Sequence, residues 1–358
     1  MEGKSHYINT CIACNQACLD HVFENKMASC LVNPLACNET EFEFTMASWK
    51  KKLAVVGAGP AGLSFAVYAA ERGHEVDLYE ASSQIGGQFN MAKKIPGKEE
   101  FVETLRYFKN MIELNGVNLH LNKKVSADEL LTGQYEEIIL ATGVSPREVD
   151  IPGIDHPKVL SYIDVLQEEK TVGKKVAIVG AGGIGFDVAE YLTHEAGENF
   201  ENAWGIDKNY SKPGGLKEIE PQASKREVFI LQRSKGKPGA KLGKTTGWIH
   251  RLSLKNKKVK MLSNVSYKKI DDQGLHITQY GENSVLEVDH VIICAGQTPK
   301  RDLEQKITEA GNKVHLIGGA DVAKQLDAKR AIDQGMRCLL YTSPSPRDAT
   351  LSRMPSSA

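Results

Sequence analysis

The chain has 358 residues, 41% hydrophobic and 25% charged, which is ordinary for a globular protein and enough for two or three domains. Lys plus Arg equals Asp plus Glu at 45 each, so no net field points to nucleic acid or an anionic membrane. Seven cysteines, an odd number, without an N-terminal basic-then-apolar leader argue against a secreted disulfide scaffold and for a reducing, cytoplasmic setting.

Residues 1–48 form a cysteine segment. Cys11, Cys14, Cys18 and Cys30 are spaced C-x2-C-x3-C-x11-C within "INTCIACNQACLDHVFENKMASCLVNP". Four clustered thiols suggest a metal site. Zinc favours two C-x2-C pairs, whereas three close ligands and a distant fourth suit an iron–sulfur cluster. Spacing leaves both open, with a disulfide pair or idle thiols as a third reading.

Residues 49–172 read as the first part of an FAD-binding domain. The charge-free run Leu53 to Ala70 is long enough to mimic a membrane helix, but its central Gly-x-Gly-Pro predicts a buried strand turning into a buried helix. The strand is Leu53 to Val56, the helix Ala61 to Arg72, and Gly73 its C-terminal cap. Gly57, Gly59 and Gly62 make G-x-G-x-x-G between them: two glycines for the turn and the pyrophosphate approach, the third for close helix packing. Glu80 ends the second strand, eighteen residues past Gly62, where a carboxylate can accept from both ribose hydroxyls. Gly86 and Gly87, followed by Gln88, suit a second close backbone approach to a long cofactor. Ala141, Thr142 and Gly143 close the unit after a strand. For each glycine pair the alternative is a bare turn.

Residues 173–298 repeat the grammar as a nicotinamide-binding domain. Gly180, Gly182 and Gly185 follow the strand Val176 to Val179, and a helix runs from about Ile184. An insertion, roughly Glu195 to Lys225, precedes the next strand, Val228 to Gln232. Arg233 then stands where an acid would read a ribose. An acid would repel a 2′-phosphate and an arginine can grip one, so the expectation is NADPH. Lys235 and Lys237 add positive charge; a solvated basic loop is the alternative. Residues 299–337 read as a return to the FAD domain, with a strand Val314 to Ile317, Gly319, and Asp321 as a helix N-cap. The Ser/Pro-rich stretch 338–358 reads as a disordered or non-native tail, with order lost from about Tyr341. The fold class is therefore α/β: two Rossmann-like dinucleotide-binding domains preceded by a cysteine-rich segment. A cluster beside FAD and NADPH sites has a task that zinc lacks, because flavin converts two-electron to one-electron transfer.

From Ile8 to about Arg337 the chain resembles the bacterial-type NADPH-dependent 2,4-dienoyl-CoA reductases, old-yellow-enzyme-like iron–sulfur flavoproteins. "CNQACLD", "SCLVNP", "IGGQFN", "IPGKEEF", "GIDHPKVLSY", "GGIGFD", "LGKTTGWIHR" and "AIDQG" carry the likeness. The resemblance implies a 4Fe–4S cluster on Cys11, Cys14, Cys18 and Cys30, with Cys37 left over. It implies FAD in the first unit, NADPH in the second, and Gly319 and Asp321 near the flavin ribityl chain. It further implies electron flow from NADPH to FAD to the cluster, then to FMN in an N-terminal (β/α)8 barrel where dienoyl-CoA is reduced. That barrel, with its Tyr and His proton donors, would lie upstream of Met1. The sequence thus reads as the electron-input part of such an enzyme, with a nicotinamide cofactor as partner and acyl-CoA only when the barrel is present. No residue here is nominated for proton transfer; His21, His250 and His315 read as surface or structural. Two rivals remain: an electron-transfer subunit of another iron–sulfur flavoprotein, and an inactive zinc-binding fragment. A disulfide reductase is disfavoured because Cys294 stands alone on an apolar strand.

Overall fold

The computed structural model describes residues 3–42 and 45–342. The chain divides into two compact units. One takes residues up to 93, 98–145 and from 297 onward; the other takes 94–97 and 146–296.

The first unit is built on a five-stranded parallel sheet in the order Val314–Leu316, Glu137–Leu140, Lys52–Val56, Glu75–Tyr79, Asn118–His120. Its central strands are apolar on both faces, as helix-covered parallel strands must be. Pro60 opens the helix Pro60–Glu71, where its missing N–H costs nothing, and Gly73 follows the C-cap with φ +91°. The helix Ala328–Arg337 lies on it. A Cβ at Gly335 would sit 2.3 Å from the Ala61 carbonyl oxygen, and Ser64 Oγ donates to the Ile332 carbonyl at 2.8 Å. The charge-free run is thus a short strand followed by a longer helix, and among the described residues no helix is long and apolar enough to cross a membrane.

The second unit has a parallel sheet ordered Val159–Ser161, His290–Ile293, Lys175–Val179, Glu227–Leu231, Lys260–Leu262. An antiparallel meander, Val265–Asp271, Gly274–Gln279 and Glu282–Leu286, adds to it. The insertion closes on itself: Lys225 pairs with Glu195 at 2.6 Å across its two ends, and Ile206 bridges Leu216. Its helix Phe200–Trp204 is capped by Asn199 and stopped by Gly205 at φ +66°. The strand after it therefore pairs in register, Val228 opposite Val176, despite the long detour.

Two expected boundaries move. The first crossing falls at 145–146 rather than 172–173, because Val159–Ser161 pairs with His290–Ile293 and belongs to the second sheet. The break expected at 337 falls too early. Residues 339–342 form a further helical turn in which Cys338, Leu339 and Thr342 are buried, and Lys51 Nζ donates to the Thr342 carbonyl. "CLL" is apolar enough to continue the core. The rest of the expected tail, 343–358, lies outside the described residues.

Candidate functional site: two dinucleotide loops and a thiol segment

In the first unit the structure brings the expected glycine positions together. Gly57, at φ +105°, runs so close to the strand end that a Cβ would meet Ala141 O at 2.4 Å. A Cβ on Gly62 would meet Gly57 O at 1.9 Å. At Gly59 a Cβ would meet no protein atom within 4 Å, so this face of the loop is open. The Gly86 N–H donates to Ala58 O at 2.8 Å, and Gly87, at φ +51°, places its Cβ position 3.0 Å from Gly59 Cα. Gln88 immediately precedes the short helix Phe89–Ala92 beside them, without a side-chain capping bond. Glu80 points back to the loop: its carboxylate accepts from Ala58 N at 2.9 Å and from Ser82 N and Oγ at 2.9 and 2.8 Å. Ala58 and Ser82, which orient the acid, carry no distinguishing sequence signal.

Gly319 and Gly143 also meet. A Cβ on Gly319 would lie 3.0 Å from the Gly143 carbonyl carbon, and Gly143 O accepts from Lys300 N at 3.0 Å. Thr142 Oγ1 donates to the Lys300 carbonyl. Asp321 is not the expected helix N-cap. That role falls to Asp327, whose carboxylate accepts from Arg330 N at 2.8 Å. Asp321 instead follows the 3-10 turn Gly318–Ala320 and accepts from Gln334 Nε2 at 2.7 Å.

The second unit copies the first loop. Gly180 has φ +119° and would bring a Cβ 2.5 Å from Cys294 O; Gly185 would bring one 1.9 Å from Gly180 O; Gly182 faces open space. The strand Glu227–Leu231 ends two residues before Arg233, which is exposed together with Lys235 and Lys237. Cys294 is buried among apolar neighbours, and burial pushes its thiol far up, so it is a core residue and no nucleophile. Burial likewise pushes Cys338 up to about 12.

In the thiol segment Cys14 is half-buried. Burial pushes its thiol up, the Gln16 backbone N–H opposes this, and the charges of Cys30, Cys18 and Cys11 add to it. Cys14 thus lies near enough to feel all three other expected ligands. The Ala13 N–H donates to Cys11 Sγ at 3.4 Å. Cys14 and Cys30 pack on one core cluster, and thiols are the ligand type an iron–sulfur cluster takes. Among the described residues, no three His, Cys, Asp or Glu side chains converge closely enough to hold a single ion.

None of the three singled-out histidines points into a dinucleotide loop. His21 Nδ1 lies 2.9 Å from Met27 O, and its Nε2 lies 2.9 Å from Lys329 Nζ. An ammonium only donates, so Nε2 is the acceptor and Nδ1 carries the proton. His250 meets Glu190 at 2.8 Å, and His315 meets Glu137 at 2.6 Å. Glu137 is buried, which pushes it up, but hydrogen bonds from His315, Lys51 and Lys313 outweigh this and hold it at about 2.

Two parallel sheets, each with a glycine loop between its central strand and the helix that follows, define a chain with two dinucleotide-binding units. Residues 51–330 match the pyridine nucleotide-disulphide oxidoreductase family, and the chain belongs to it. It is a flavin-dependent pyridine-nucleotide oxidoreductase module. It is 32% identical over 326 residues to a metal reductase of Desulforamulus reducens, covering 89% of this chain and 48% of that protein. It is 27% identical to a cinnamate reductase of Clostridium sporogenes, covering 91% and 44%. A solved 2-naphthoyl-CoA reductase in complex with 2-naphthoyl-CoA superposes with a TM-score of 0.81 at 29% identity, covering 94% of this chain and 47% of that one. The chain spans about half the length of these relatives.

Proposed function

We propose that this chain is the electron-input half of an NADPH-dependent, 2,4-dienoyl-CoA reductase-like iron–sulfur flavoprotein, with FAD in the first unit and NADPH in the second. A flavin takes a hydride's two electrons and releases them singly, and a cluster carries one at a time. The chain's own residues bind and orient. The Gly57–Gly62 loop and helix Pro60–Glu71 offer backbone N–H groups to a pyrophosphate, and Glu80 accepts from the ribose. The Gly180–Gly185 loop does the same for the nicotinamide dinucleotide, with Arg233 gripping its 2′-phosphate. Cys11, Cys14, Cys18 and Cys30 hold a 4Fe–4S cluster. In this reading, reduction of an acyl-CoA, with FMN, takes place in a barrel outside this chain.

The observation that supports the cluster reading is that Cys14 and Cys30, far apart in sequence, pack on the same core cluster, the one that holds Leu31 and Val32. The test is anaerobic loading with iron and sulfide, followed by metal analysis and an absorbance spectrum. Wild type and Cys37→Ser should hold about four irons per chain with broad absorbance in the visible blue, and Cys18→Ser should lose both. Equal loss in both variants would mean that the fourth ligand is misassigned. Stoichiometric zinc without iron would sink the redox reading and favour the zinc-fragment alternative.

A further inference from the structure

We propose that Arg106 is a positioning residue for the thiol segment: from a helix of the FAD unit, its guanidinium clamps the backbone just ahead of Cys11. The proposal rests on the cluster reading above.

Residues 8–18 contain no helix or strand of their own, so nothing local fixes where Cys11 lies. The fixing groups come from elsewhere. Arg106 stands on the helix Phe101–Leu114, where Glu103, one turn back, takes its Nε at 2.6 Å. That pair alone is an ordinary surface pair worth little. It does, however, set the plane of the guanidinium and leave both terminal nitrogens to reach across. Nη1 donates to the His6 carbonyl, and Nη2 donates to Ile8 O at 2.9 Å and Thr10 Oγ1 at 3.1 Å. Asn110, one turn further on, donates to His6 O at 2.8 Å. These acceptors sit at alternate residues, 6, 8 and 10, and the last immediately precedes Cys11. A planar fork can hold such a ladder, whereas a single ammonium cannot.

The clamp extends to the fourth ligand. Between the clamped residues, Asn9 Nδ2 donates to Val32 O at 2.7 Å, two residues past Cys30. Ile12 packs on the core cluster that contains Leu31 and Val32. Fixing residues 6–10 against the helix therefore sets the separation of Cys11 from Cys30. Outer partners that orient metal ligands typically matter about tenfold to a hundredfold in metal retention.

The test uses the full chain loaded with FAD, then with iron and sulfide under argon. Three quantities are measured: the rate of iron release to a ferrous chelator, the electron paramagnetic resonance spectrum of the reduced cluster, and, in metal-free protein, amide hydrogen exchange over residues 5–18. FAD content checks that the unit is folded. We expect Arg106→Ala to release iron about tenfold to a hundredfold faster than wild type, with an altered spectrum and faster exchange at 5–18. Arg106→Lys should recover only part of each. If Arg106→Ala fails to hold FAD, the pair Thr10→Ala and Asn110→Ala, which leaves the guanidinium in place, carries the same expectation at smaller size. Iron release and spectrum identical to wild type in Arg106→Ala would overturn the proposal. Wild type that takes up no iron would overturn the cluster reading, and with it any role toward a cluster; the exchange data from metal-free protein then still report whether the clamp exists.

Discussion

Gly59 and Gly62 occupy one motif, yet the structure gives them opposite constraints. A methyl on Gly62 collides with the Gly57 carbonyl oxygen at 1.9 Å, backbone against backbone, and nothing flexible can yield. A methyl on Gly59 meets no protein atom, and its φ of −79° suits any residue. Gly62→Ala should therefore unfold or strongly destabilise the unit, while Gly59→Ala should keep its melting temperature without ligand and lose FAD, because the methyl enters the space a pyrophosphate would use. Thermal melts of apoprotein and flavin content of the purified chain separate the two; equal stability losses would contradict this division. Arg233 gives a second test. If it grips a 2′-phosphate, Arg233→Glu should weaken NADPH by roughly tenfold to a hundredfold, the worth of about 1.5–3 kcal/mol for a charge-assisted bond, and leave NADH nearly unchanged. Equal weakening of both would move the phosphate contact elsewhere, with Lys235 next. At this scale the sequence is legible where geometry forbids a side chain, as at Gly57, Gly62, Gly180 and Gly185. It is not legible where the partner is backbone from a distant stretch. Arg106 reads as one more charge on a helix, because its acceptors are carbonyls of His6 and Ile8, about a hundred residues away and invisible to any motif.

Among elements, the helix Pro60–Glu71 and strand Lys52–Val56 were readable to within a residue because apolar runs, Pro60 and Gly73 all agree on their ends. The strand Val159–Ser161 was not: three residues carry too little pattern, and only pairing with His290–Ile293 assigns them to the second sheet. The turn between the helix Pro60–Glu71 and the next strand holds a further prediction. His74 is buried, and its Nδ1 accepts from Lys51 N at 3.2 Å, which makes the ring neutral. Burial, then the charges of Arg72 and Lys51, push it down to about 4 from 6.5, against a smaller opposing pull from Glu136 and Glu137. The unfolded chain thus binds a proton that the folded chain refuses between those values, so the contribution is fully present above pH 6.5 and is lost as pH falls toward 4. Glu137, held at about 2, adds its own loss only below about 4.5. Between pH 6.5 and 4.5, stability should therefore fall by up to about 1.4 kcal/mol per pH unit on account of His74. His74→Gln should flatten that limb in urea midpoints measured across the window; an unchanged slope would assign it to other groups.

For the whole molecule, each job has a separate set of residues. In the proposed function the nicotinamide dinucleotide sits on the Gly180–Gly185 loop and the flavin on the Gly57–Gly62 loop, and hydride transfer between them asks no protein acid or base to move a proton. None of the cysteines in the thiol segment belongs to either loop, and none of His21, His250 and His315 points into one. FAD-loaded chain should accordingly reduce ferricyanide or a tetrazolium dye at the expense of NADPH, and Cys18→Ser should keep that activity after losing its iron. The 358-residue chain alone should not reduce a 2,4-dienoyl-CoA, because the proposed function leaves that step, with its FMN, to a barrel that this chain does not supply. The exposed thiols Cys11 and Cys18 are open to oxidation, so preparations made in air should lose iron before they lose dye reduction. The measurement is one time course in air, with iron content and NADPH-to-ferricyanide rate followed together. Parallel loss of the two would tie hydride transfer to the thiol segment and overturn this separation. A folded, FAD-loaded sample with no dye reduction at any time would instead show that the second unit is not a working nicotinamide domain.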